Sequence, residues 1–101
     1  MGVQTQLDWT MITSALPGGD IVEAGLRDLE QGIESDASLL LSIGEPRLRR
    51  LGIRIETPLR DPEHRLYARL AAADRSSAHS RYNALIRRLV SFERAAECVR
   101  P

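Results

Sequence analysis

From residue 78 to residue 99, apolar side chains recur at Ala78, Tyr82, Leu85, Leu89, Phe92, Ala96 and Val99, in alternating steps of four and three. Only a helix gathers such positions onto one stripe. Ile86 and Val90 widen the stripe beyond a bare heptad seam, as in a helix packed within a globular bundle. The pattern predicts one long core helix over 78–99, central to the fold or close to it.

Earlier in the chain the same period returns in shorter pieces. Residues 1–16 are ambiguous: Leu7, Met11, Ile12, Ala15 and Leu16 fall near helical spacing, but Thr5, Thr10 and Thr13 weaken a helix there. Trp9 reads as a lid on the core, with an interface anchor as the alternative. Pro17-Gly18-Gly19 stops whatever precedes it. Asp20 is the expected N-cap of the next helix, with Glu23 in capping-box position and Val22, Leu26, Leu29 and Ile33 as its buried stripe. Glu23 and Arg27 form an i, i+4 pair in the favourable orientation. Gly25 costs about 1 kcal/mol against Ala in mid-helix, so it marks a close helix crossing.

Ser35 is the next expected cap. Residues 37–43 are apolar nearly all round and predict the most buried short helix, ended by Gly44. Pro46 opens and Gly52 closes another short helix, with Leu48 and Leu51 inward and Arg47, Arg49 and Arg50 outward. Ile53-Arg54-Ile55 alternates like a strand but is too short to build a sheet. An extended connector leads to Asp61-Pro62-Glu63, a helix start. That helix runs to about Ala73 with Leu66, Tyr67, Leu70 and Ala71 inward, and after a short turn Ser77 caps the closing helix. The short turn predicts a helical hairpin. The fold class is therefore all-α: a compact bundle of four to five helices forming one domain over 1–101.

Composition adds two constraints. Four aromatic residues leave the core to Leu, Ile, Val and Ala, which suits helices. Cys98 is the single cysteine, so no internal disulfide and no thiolate zinc site can form. With no apolar run near the roughly 20 residues of a membrane span and no signal-like pattern at residues 1–7, the expectation is a soluble, cytoplasmic protein without membrane association.

Charge changes the picture more. The total is zero, yet residues 1–45 hold eight acids and one base (−7), and residues 46–101 hold thirteen arginines and six acids (+7). Every basic residue is Arg, a bias that a GC-rich coding genome accounts for. The polarity between the halves could seat one on the other, pair two chains, or present arginines to an anionic partner.

Chemistry is sparse. His64 and His79 sit near expected helix starts, where a neutral ring can cap the backbone. Each follows an arginine by four (Arg60, Arg75), a spacing that could serve phosphodiester cleavage, but a small Arg/His enzyme ranks last. No catalytic residue, metal site, phosphate loop or cofactor is expected. Residues 37–53 resemble a helix-turn-helix only loosely, because Gly52 cuts the second helix to about six residues. The arginines remain: Arg47, Arg49, Arg50 and Arg54 in one cluster, then Arg81 with Arg88 and Arg87 with Arg94 in two strips along the closing helix. Guanidinium forks bind carboxylates bidentately and track phosphate backbones. The leading expectation is a small non-enzymatic regulatory protein of the bacterial accessory or antitoxin type. It docks a protein partner, or itself as a homodimer, through charge-complementary helix faces. The alternative is a nucleic-acid-binding regulator using the same arginines.

Overall fold

The run Leu39-Leu40-Leu41 decides the architecture. Three consecutive apolar side chains on a helix point in three directions, so such a helix must be surrounded. In the computed structural model, which describes residues 13–99, all three are fully buried. The described residues form five α-helices and no strand: α1 (Gly19–Glu30), α2 (Asp36–Ile43), α3 (Glu45–Arg50), α4 (Pro62–Ala73) and α5 (Ala78–Val99). A 3₁₀ turn, Arg75–Ser77, joins α4 to α5. Helix α2 packs against each of the other four. The hub is this eight-residue helix, while the longer α5 lies along one side of it. No helix among the described residues is long and apolar enough to cross a membrane. Trp9 and most of the ambiguous N-terminal stretch lie outside the described residues.

Local chemistry holds the hub in place. The Ser35 hydroxyl accepts the Ser38 backbone N–H at 3.0 Å, and the Ser38 hydroxyl accepts the Ser35 N–H at 2.7 Å, a reciprocal capping box. Ser42, on the same buried helix, donates its hydroxyl to the Ser38 carbonyl and accepts the Leu59 N–H, both at 2.9 Å. That single hydroxyl fastens the connector between α3 and α4 onto α2. Gly25 gives α1 its close approach. A Cβ there would fall 2.6 Å from Leu41 Cγ and 2.7 Å from the Ala37 carbonyl oxygen.

Helix α5 buries Ala78, Leu89, Phe92 and Ala96, and half-buries Tyr82, Leu85, Ile86 and Val90. Its seam ends one step early, since Val99 is 45% exposed. Helices α4 and α5 form the expected hairpin, with Tyr67 and Tyr82 tilted against each other at 5.8 Å. Asp74 organises the turn by accepting the Ser76 N–H and both the Ser76 and Ser77 hydroxyls.

Several expected ends and faces are corrected. Helix α1 begins at Gly19 with Gly18 as its cap, not Asp20. Gly18 has φ 74 and its missing Cβ would meet the Arg88 carbonyl oxygen at 2.6 Å. Contact with α5 therefore sets where α1 starts, and only glycine fits there. Asp61 occupies the cap position of α4 in a left-handed conformation (φ 49) without a side-chain bond to the helix. Ser77 directs its hydroxyl back to Asp74, so the 3₁₀ turn leads straight into α5. Ile33 and Tyr67, expected inward, are 45% and 40% exposed. Ile33 falls past the end of α1, and Tyr67 lies on the flank facing Tyr82.

Candidate functional site: the arginine face of α5

The eight arginines singled out in the sequence do not form one surface. The acidic half folds onto the basic half, and its carboxylates take up arginines that were expected to be available. Asp20 on α1 accepts a hydrogen bond from Arg88 at 2.6 Å. Glu34 pairs with Arg65, and Asp36 with Arg69 at 2.9 Å, which ties the start of α2 to α4. Arg49 reaches Glu45 one turn back at 3.5 Å. Arg47 turns from α3 toward α5, with its guanidinium 3.8 Å from Glu93 and 4.0 Å from Glu97. Of the candidate set, Arg47, Arg49 and Arg88 therefore face carboxylates of their own chain.

Arg50 is exposed on α3. Arg54 is exposed between buried Ile53 and Ile55 and, with Glu45, Arg49 and Glu56, lines an open cleft of about 300 Å³. Two guanidiniums and two carboxylates leave that cleft without a net charge preference. Arg81 lies near the start of α5, and its charge contributes to holding the Asp74 carboxyl below the usual range. The larger cause is the hydrogen bonds from Ser76 and Ser77.

Arg87 and Arg94 are both exposed on α5 and, like Arg54 and Arg81, have no carboxylate within 4.0 Å among the described residues; what sets them apart is that they share one line of the helix. Seven residues place them two turns apart, about 10 Å along the axis. They project from the side of α5 opposite the buried line of Ala78, Leu89 and Ala96, and their neighbours one turn away on the helix are Asn83, Ala84, Val90, Ser91, Glu97 and Cys98. Cys98 is an exposed free thiol.

The sequence reading missed Glu93. It follows Phe92 on the seam and is only 3% exposed, packed where a Cβ on Gly44 would lie 3.2 Å from its carboxylate. Burial pushes its carboxyl above the ordinary range, the Arg47 charge opposes that rise, and Glu97 adds to it. The signal was present in the heptad spacing, since position 93 is four after Leu89 and seven after Ile86. The residue type hid it, because glutamate is almost never fully buried unless paired.

The other candidate chemistry is dispersed. His64 and His79 are both exposed, and His79 lies 3.2 Å from the Asn83 amide instead of capping the helix. Among the described residues no group of three or more His, Cys, Asp or Glu side chains could hold a metal ion. Helices α2 and α3 are joined by Gly44 alone, whereas a DNA-reading helix-turn-helix needs a turn of about three to four residues. Comparison of the chain with protein-family models, curated proteins and solved structures gave no match.

Proposed function

We propose that this chain is a small cytoplasmic interaction protein of the regulatory or accessory type, which docks an acidic helix of a protein through the outer face of α5. The observation that carries the reading is the pair Arg87 and Arg94, exposed two turns apart with no carboxylate within 4.0 Å among the described residues, on a helix whose opposite face is fixed in the core. Guanidinium forks prefer bidentate carboxylates, and a helix bearing acids on one stripe offers them at the same repeat. Between the two arginines the outer side of α5 carries only Ser91 and the half-buried Val90, which leaves room for a second helix.

The same geometry argues for a protein over a nucleic acid. A duplex supplies a dense row of phosphates, and binding it strongly takes several cations acting together. Here Arg47, Arg49 and Arg88 are turned toward carboxylates, and the whole chain carries no net charge.

The test is a fluorescence-anisotropy titration with a labelled helical peptide carrying Glu at i and i+7, beside a labelled DNA duplex. The expected result is salt-sensitive binding of the peptide, lost in Arg87→Glu/Arg94→Glu, with weaker binding of the duplex. Tighter binding of the duplex, or peptide binding untouched by the double substitution, overturns the reading.

A further inference from the structure

We infer that the acidic helix received by Arg87 and Arg94 is α1 of a second copy of this chain, an inference that rests on the docking face just proposed. Helix α1 carries Glu23 and Glu30, also seven residues apart and so also about 10 Å from each other along their axis. Glu30 is exposed and Glu23 half-buried, and among the described residues neither has a cation within 4.0 Å. No ion pair within 4.0 Å joins Glu23 to Arg27, the pair expected from their spacing. Two carboxylates and two guanidiniums thus stand at one spacing on two helices of the same molecule.

They cannot meet within one chain. Helix α1 is anchored to α5 on another side, through Asp20 with Arg88 and through Gly18 against the Arg88 carbonyl. That anchor consumes the flank of α5 toward α1 and leaves the Arg87–Arg94 line facing away. A second copy related by a two-fold axis satisfies both sets. Each copy gives its α1 and receives the partner's on α5, so the contact is made twice and the assembly closes at two chains. Arg27 lies on the same edge of α1 as Glu23 and Glu30 and opposes the docking.

Sedimentation equilibrium of the intact chain tests this. The expected mass is two copies at low ionic strength, falling toward one as salt rises from about 0.05 to about 0.5 M and the Debye length shrinks. Glu23→Arg/Glu30→Arg alone and Arg87→Glu/Arg94→Glu alone are each expected to run as single copies. An equimolar mixture of the two is expected to regain the mass of a pair, since every α1–α5 contact is complementary again. Arg27→Ala tightens the wild-type association severalfold. Circular dichroism identical to wild type establishes that the surface variants fold. A wild-type mass of one copy at every concentration, open-ended growth, or a mixture that stays unpaired overturns the inference. If the chain is a single copy yet still binds the acidic peptide through Arg87 and Arg94, only self-docking falls. If neither occurs, the docking face itself is wrong.

Discussion

A carboxylate on the flank of an apolar helical seam must either reach water or carry the cost of leaving it. Glu93 does the second, with the Arg47 guanidinium at 3.8 Å partly offsetting burial. Because its folded pKa is raised, the folded chain prefers the protonated acid. The contribution of Glu93 to stability is fully present below the unfolded value of 4.5 and is lost as pH rises through the higher folded value. Glu93→Gln should remove that slope and be at least as stable as wild type at pH 7, which urea denaturation at several pH values will show. Asp20 and Asp74 give the opposite limb. Hydrogen bonds, from Arg88 in one case and from Ser76 and Ser77 in the other, hold both carboxyls below 3.8. The stability they confer is present above 3.8 and fades as pH falls through their lowered values. Ser42→Ala tests another buried polar group, by the same urea denaturation. It leaves the Leu59 N–H without its acceptor, and an unsatisfied buried donor costs about 1–3 kcal/mol. Neither Glu93 nor Ser42 stands out in the sequence, because the residues that make them special are the distant Gly44, Arg47 and Leu59.

At the level of elements, periodicity carried far. The long closing helix, the apolar α2 with its Ser35 cap, the Gly44 break and the α4–α5 hairpin were all legible, since each rests on local spacing and capping chemistry. Where tertiary contact overrides local preference, the pattern misleads. Asp20 has the right chemistry for a cap, but Gly18 against Arg88 places the cap two residues earlier. Tyr67 has an apolar body, yet it covers the flank of Tyr82 instead of entering the core. Gly25 was legible as a crossing point, and the contacts with Leu41 and Ala37 now give it a magnitude. Gly25→Ala gains up to about 1 kcal/mol of helix propensity but overpacks the α1–α2 crossing, which typically costs about 1–3 kcal/mol. The backbone oxygen of Ala37 cannot swing aside as a side chain would, so thermal denaturation should show a net loss of stability.

Across the whole molecule, the charge split between the halves is used mainly inside the chain. Asp20, Glu34 and Asp36 reach Arg88, Arg65 and Arg69 across 68, 31 and 33 positions, so the acidic segment is seated on the basic one. The sequence showed the imbalance but could not assign partners, because only the packing of α1 and α2 against α4 and α5 decides which carboxylate meets which arginine. Among the described residues Arg54, Arg81, Arg87 and Arg94 of the candidate set have no carboxylate within 4.0 Å, and of these Arg87 and Arg94 share one line on the far side of α5. The most direct measurement is a ¹H–¹⁵N correlation spectrum of the labelled chain titrated with the acidic i, i+7 peptide at low salt. The account predicts shifts concentrated on the amides of Arg87, Ser91 and Arg94 and the guanidinium signals of the two arginines, with companion shifts at Glu23 and Glu30 as the peptide displaces a second copy. Shifts centred on the Arg49–Arg54 cleft, or a spectrum that does not move, would contradict it.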